Sequence, residues 1–151
     1  MKNIIIRKSK KSDIEKGLLE VFIEGYRFHQ NGRPDVFDIE TDEELKEVLE
    51  ESFDKCDNLV AIIDEEIVGH LSFQIKSRKS KKLHIDELVI KEKFRKQGVG
   101  KALINEAIKI AKENDCKRVE FDCWLFNTNA LSVYEHMGFE HQRIAFEMKL
   151  K

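Results

Sequence analysis

Two glycines, Gly98 and Gly100, stand between an apolar run, Leu83 to Ile90, and a segment that turns strongly helical at Val99. Strand, short basic glycine loop and helix form a unit that aims backbone N–H groups at an anion. The first turn of a helix carries donors without intrahelical partners, and the helix dipole puts partial positive charge on them. Glycine lets an anion come close to the backbone because no Cβ stands in the way. The stretch Arg95-Lys96-Gln97-Gly98-Val99-Gly100-Lys101-Ala102 therefore reads as a phosphate cradle. It is not a Walker loop, which needs Gly-x-x-x-x-Gly-Lys-Ser/Thr. It supplies only the first half of the dinucleotide fingerprint Gly-x-Gly-x-x-Gly, since position 103 is Leu. By itself the loop does not separate a nucleotide, a coenzyme or a mere turn.

The patterning around it narrows the architecture. Ile4 to Lys8 is expected as a first strand, and Ser12-Asp13-Ile14-Glu15 as a capping box opening a helix through about Phe28. Asn31-Gly32-Arg33-Pro34-Asp35 reads as a loop. Thr41-Asp42-Glu43-Glu44 is a second capping box, for a helix to about Phe53. Leu59–Ile63 and Ile67–Ile75 form a hairpin across Asp64-Glu65-Glu66, and Ser77 to Lys82 is a basic turn into Leu83–Ile90. Val99, Ala102, Leu103, Ala107, Ile110 and Ala111 make one helical stripe. Val119 to Phe126 alternates as a strand. A helix from Thr128 to Met137 ends at Gly138, and Ile144, Phe146, Met148 and Leu150 alternate as a last strand. The interleaving implies an α/β fold: a mixed, largely antiparallel central sheet with helices on both faces, as one domain over residues 1–151.

Composition excludes several classes. The chain's 151 residues suit one core, and a net charge of −2 argues against a protein that coats nucleic acid. The basic run Arg78, Lys79, Lys81 and Lys82 is short and lacks interleaved aromatics, so it reads as an exposed turn. No apolar run suits a membrane span, and the first residues are too short for a signal peptide. Cys56, Cys116 and Cys123 are odd in number and lack metal-type spacing, which points to reduced thiols, a cytoplasmic protein and no metal.

Three elements then fall in order: Glu87-Leu88-Val89-Ile90 followed by Arg95-x-x-Gly98-x-Gly100, a strand ending at Asn127, and Asn127-x-x-Ala130-x-x-x-Tyr134-x-x-x-Gly138-Phe139. Together they resemble the GNAT superfamily of acyl-CoA-dependent N-acyltransferases. Nearly the whole chain is covered, with Arg7 to about Phe53 carrying little of the likeness.

The resemblance implies acetyl-CoA as cosubstrate and a small-molecule or peptide amine as acceptor. A dimer is plausible, and neither nucleic acid nor membrane is a partner. The amides around Gln97, Gly98, Val99, Gly100, Lys101 and Ala102 would hold the coenzyme's pyrophosphate. Lys96 and Lys101 would reach the phosphates, Arg95 would bind there or brace the loop, and Leu88, Val89 and Ile90 would offer backbone groups to the pantetheine arm. Tyr134 matches the family tyrosine that protonates the departing thiolate; a phenol with pKa near 10 stays protonated at neutral pH. It also fits a core stripe with Ala130, Leu131 and Met137.

Glu87 is the base candidate, with Asp86 expected on the opposite face of the strand. A solvated or salt-bridged role for Glu87 is the competing reading. Asn127 matches the family asparagine near the pantetheine, and equally suits a helix cap. His29, Arg33, Asp35 and Phe37 cluster around Pro34 where an acceptor pocket is expected, Phe37 reading better as core. His70 and His84 read as cleft-facing, surface or satisfied core, His136 and His141 as surface. A coenzyme-binding sensor without catalysis is the alternative function.

Overall fold

The computed structural model describes residues 2–151. Its centre is a hairpin of β2 (Asp57–Ile63) and β3 (Glu66–Lys76), turned by Asp64 and Glu65 at φ 48° and 67°. Two consecutive positive φ values match the twist of paired strands, which is why so short a turn suffices. Strand β1 (Ile5–Lys8) pairs antiparallel with β2, and β4 (Lys82–Ile90) antiparallel with β3. Strand β5 (Arg118–Phe121) pairs parallel with β4. The order is β1-β2-β3-β4-β5, so the sheet is mixed and largely antiparallel, as its sequence implies.

A parallel neighbour requires a crossover. Here it is α3 (Val99–Glu113), whose Val99, Leu103, Ile104, Ala107 and Ala111 cover one face over Leu59, Ala61, Leu71, Phe73, Leu83 and Ile85. The other face is covered by α1 (Leu18–Gly32) and α2 (Asp42–Lys55), through Leu18, Val21, Phe22, Leu45 and Leu49 against Val60, Ile67 and Val89. Helix α4 (Thr128–His136) follows β5 and ends with Gly138 at φ 94°. Thr41 caps α2 as its box predicts, its hydroxyl accepting the Glu44 N–H at 3.3 Å.

Three elements differ from expectation. The segment at Ser12 is a 3-10 turn, Lys11–Lys16, and α1 starts only after Gly17 at φ 116° and runs on to Gly32. The reason is Asp13: its buried carboxylate takes two hydrogen bonds from Arg7 at 2.8 and 2.9 Å, one from the Ser9 hydroxyl and one from the Lys10 N–H. Asp13 organises the turn around itself, and Ser12 caps nothing. Strand β5 stops at Phe121 instead of Phe126, because the chain there has left β4 and has no ladder to join. The last strand expected over Ile144–Leu150 does not form: residues 140–151 have no assigned secondary structure and pair with no strand among the described residues.

Candidate active site

The parting of β4 from β5 creates the site. Their pairing ends at Ile85 with Phe121, while β4 runs on to Ile90 paired only with β3. Residues Asp86–Ile90 thus border a notch whose other wall is the stretch after β5. Within this length β4 carries a bulge: Phe73 faces Ile85 and Ser72 faces Glu87, so Asp86 is the extra residue. This overturns the expectation that Asp86 and Glu87 take opposite faces. Asp86 accepts hydrogen bonds from Gln74 at 3.0 Å and from the Cys56 thiol at 3.4 Å, at the end of α2. Glu87 faces Ser72, two residues along β3 from His70, whose ring meets Phe22 of α1. Both acids therefore lie on the α1/α2 side.

Glu87 is half-buried and makes no hydrogen bond or ion pair among the described residues. Desolvation, helped by the nearby negative charge of Asp86, pushes its carboxyl up to about 8. The helix above it comes unusually close: a Cβ on Gly25 would lie 2.5 Å from a Val89 methyl. Gly25 lets α1 sit directly on β4 beside Glu87. Leu88 and Ile90 pack on the α3 side and Val89 under α1, so what the three offer the notch is backbone.

At the end of the notch the glycine loop meets α3. Gly98 is the N-cap at φ 84°, and Lys96 is also left-handed, at φ 61°. The first backbone bond into the helix runs from the Ala102 N–H to the Gly98 carbonyl at 3.0 Å. The N–H groups of Gln97 to Lys101 have no acceptor among the described residues, whereas that of Ala102 is used. A Cβ on Gly98 would meet nothing within 4 Å, so the cradle is open. Arg95 braces it: its Nε donates to the Ile90 carbonyl at 3.3 Å and its guanidinium lies 5.5 Å from the Phe28 ring centre. Lys96 and Lys101 are exposed. Lys101 also borders a groove of about 420 Å³ between α3 and α4, lined with Asn105, Ser132, Val133, His136 and Met137. An anion fits this loop by its open, unpartnered donors.

On the other wall, Tyr134 of α4 packs edge-on against Phe121, ring centres 4.4 Å apart, at the point where the strands part. Its hydroxyl makes no hydrogen bond among the described residues. Burial, with Cys123 close by, raises its pKa above the ordinary phenol value, so it is a protonated donor at any neutral pH. Asn127 occupies the N-cap of α4, but its side chain does not cap.

Over the α1 end stands an aromatic cluster. Trp124 and Phe126, from the turn after β5, meet Phe37, His29 and Phe28 with ring centres 5.8–5.9 Å apart. Arg33 lies 4.8 Å from the Trp124 ring and pairs with Asp35 at 2.8 Å. The His29 ring is 5.4 Å from Phe37, and its Nδ1 meets the Gly25 carbonyl at 2.8 Å. Phe28, Trp124, Phe126 and Gly25 were not singled out from the sequence. A glycine in the middle of an amphipathic helix was the one visible signal. His70 is buried in the sheet, its Nε2 donating to Asn58 Oδ1 at 2.7 Å, and burial lowers it to about 4. His84 joins Glu120 at the β4–β5 pairing, while His136 and His141 lie on the exterior. No group of three metal-ligating side chains occurs among the described residues.

The family model described as Acetyltransferase (GNAT) family matches residues 21–139, which spans every part of this notch. The chain belongs to the GNAT family of acetyltransferases. Among its GNAT relatives is N-alpha-acetyltransferase 30 of Xenopus laevis, 30% identical over 93 residues, 60% of this chain and 34% of the relative. Another is the L-amino acid N-acetyltransferase AaaT of Escherichia coli, 31% identical over 86 residues, 54% of this chain and 52% of the relative. The chain thus matches only a third to a half of the length of these relatives. The GNAT fold is also that of a variant of the BH1408 protein from Bacillus halodurans: TM-score 0.84, 21% identity, 97% of this chain and 99% of the other. The aminoglycoside N-acetyltransferase AAC(6')-Iy, solved in complex with CoA, gives a TM-score of 0.77 at 20% identity, over 99% of this chain and 96% of the other.

Proposed function

We propose that the chain transfers an acetyl group from acetyl-CoA to a primary amine by direct attack. The observation that carries this reading is the notch itself, which joins unpartnered amides at the α3 N-terminus to an unpaired β4 edge, a desolvated carboxylate and a free phenol. The amides of Gln97 to Lys101, with Lys96 and Lys101 beside them, suit the pyrophosphate, and the backbone of Leu88 to Ile90 suits the pantetheine arm. Asn127, its side chain unspent on capping, suits the far side of that arm. The amine nitrogen bonds to the acetyl carbon as the C–S bond breaks. Glu87 takes the proton the amine must lose, and Tyr134 gives one to the departing sulfur. Nothing in this sequence of steps requires a metal.

The partners in this reading are a small-molecule or peptide amine and a second copy of the chain. The relatives' names cover N-alpha-acetylation and L-amino acids, and the acceptor is left at the class of primary amines. Free cysteines, and helices none of which is long and apolar enough to cross a membrane among the described residues, support a cytoplasmic setting. The test is Tyr134→Phe. Amine-dependent thiol release should fall about a hundredfold or more, the low end for loss of a general acid, with coenzyme A affinity unchanged. Full turnover in that variant with every amine tried would remove the tyrosine from the mechanism.

A further inference from the structure

His70 of β3 lies fully buried beneath α1, where its ring meets Phe22 with centres 6.5 Å apart. Its surroundings settle which nitrogen carries the hydrogen. The Asn58 side-chain NH2 donates to the Cys56 carbonyl at 3.3 Å, which leaves Asn58 Oδ1 as an acceptor. His70 Nε2 lies 2.7 Å from that oxygen, so Nε2 is the donor and Nδ1 holds a lone pair. Among the described residues, Nδ1 is the one buried side-chain nitrogen or oxygen with no hydrogen-bond partner. Buried polar groups are nearly always paired, so the exception calls for a physical reason.

The register of the sheet points to the donor. Asn58, Ser72 and Glu87 stand in one row across β2, β3 and β4, and Val60, His70 and Val89 in the next. Both rows face α1 and α2, as the packing of Phe22 on His70 and of Val60 and Val89 under the helices shows. The two nitrogens of an imidazole point to nearly opposite sides of the ring. Since Nε2 is turned to β2, Nδ1 is turned away from it, and the strand on that side is β4. There Val89 lies directly opposite His70 and Glu87 is the diagonal neighbour. Diagonal pairs lie about 7–8 Å apart, within reach of an imidazole and a carboxyl on two methylenes. The other titratable groups near this face have partners. Asp86 accepts from Gln74 and the Cys56 thiol, His29 Nδ1 meets the Gly25 carbonyl, and the Tyr26 hydroxyl accepts the Ile39 N–H. Lys91 pairs with Glu20 and Glu66, and α2 brings apolar Leu45 and Leu49. Glu87 has no partner among the described residues.

We propose that His70 is a positioning residue for Glu87: its Nδ1 accepts a hydrogen bond from the protonated Glu87 carboxyl, directly or through one water. The proton stays on Glu87 and the imidazole stays neutral. With one carboxyl oxygen held by Nδ1, the other is left to face the amine. A hydrogen bond made to the neutral acid favours the protonated form, in the same direction as the desolvation that brings Glu87 to about 8. Burial lowers His70 itself to about 4, so its lone pair is free wherever the carboxyl titrates. Asn58 acts one step further out, by fixing the tautomer. The part His70 plays in turnover rests on Glu87 being the base; the hydrogen bond does not.

The hydrogen bond is therefore tested without turnover. Long-range proton–nitrogen correlation spectra of the His70 ring in the full chain, recorded across the titration of Glu87, should show Nε2 protonated throughout. The Nδ1 resonance should move from a hydrogen-bonded to a free lone-pair position with one midpoint, at about 8. In Glu87→Gln, whose amide can donate at every pH, Nδ1 should keep the hydrogen-bonded position. A resonance that does not move, a midpoint that survives Glu87→Gln, or a hydrogen on Nδ1 would each overturn the proposal. In the kinetic arm, His70→Phe with unchanged far-UV circular dichroism should lower the apparent pKa of kcat/KM by roughly one unit and leave coenzyme A affinity alone. An unmoved limb in that folded variant would overturn the positioning role. Should the variant fail to fold, the nitrogen resonance still decides on the unmodified chain. A titrating Nδ1 in a chain that turns over no amine would uphold the hydrogen bond and count against the reaction, which keeps the two failures distinct.

Discussion

At the residue scale, the proposed reaction has Glu87 and Tyr134 divide the proton work by opposite uses of burial. Desolvation raises both pKa values. For Glu87 that brings a carboxylate to about 8, basic enough to take a proton from an amine on its way to an amide. For Tyr134 it keeps a phenol protonated. The base must be ionised to work, so kcat/KM should rise with pH and level off above an apparent pKa near 8. Glu87→Gln should remove that limb and lower the plateau at least tenfold, read from a pH–rate profile with one amine.

The same burial has a stability consequence. A carboxyl whose folded pKa lies above its unfolded value holds its proton more tightly when folded. Its contribution is therefore present below about 4.5 and is lost as pH rises through about 8. Glu87→Gln should melt higher than the parent at pH 8 and near-equally at pH 4; an equal melting temperature at both would contradict the desolvation. The candidacy of Glu87 rests on its place before Leu88. The bulge that brings Asp86 to its side was not legible, because period-two alternation carries no sign of an inserted residue.

At the element scale, α3 illustrates how two glycines of one motif differ physically. Gly98 is left-handed at φ 84° with open space around it, whereas Gly100 has no such φ and a Cβ there would sit 3.7 Å from Ile90, an ordinary contact. Gly98→Ala should cost about 1–2 kcal/mol of stability through its backbone conformation. Gly100→Ala lies within the helix and should be neutral or stabilising by up to about 1 kcal/mol. Chemical denaturation of the two variants checks the contrast, and equal losses would contradict the geometry. The loop, α2, α3, α4 and four of the five strands were readable because each is marked by its own periodicity or cap. The start of α1 was misread because Asp13 answers to Arg7 and Ser9, not to a helix of its own. The shortening of β5 depends on where β4 parts from it, a tertiary matter that Val119–Phe126 cannot encode locally. The aromatic cluster joins α1 to the turn after β5, too far apart in sequence for any local pattern to unite them.

At the scale of the whole molecule, the sheet is a frame held open at one place. Helices α1 and α3 clamp its two faces, while the strands between them separate and leave polar groups facing a gap. A ligand that fills the gap stabilises the folded state by mass action. Coenzyme A at a hundred times its dissociation constant should add about 2.7 kcal/mol, a rise of roughly 5–10 °C in melting temperature for a chain of this size. Fold and family were legible because a common frame and two spaced motifs carry them. The proposed acceptor pocket was not, since the side chains from Gly25 to Phe37 and from Trp124 to Phe126 meet only in three dimensions. Acetyl transfer to an amine is read most directly as free thiol released from acetyl-CoA across grouped amines, with the acetylated product identified by mass. Thiol release should depend on one class of amine and match the acetylated amine one for one. Tight coenzyme A binding with no amine accelerating release would contradict it, and would leave a binding module in place of an enzyme.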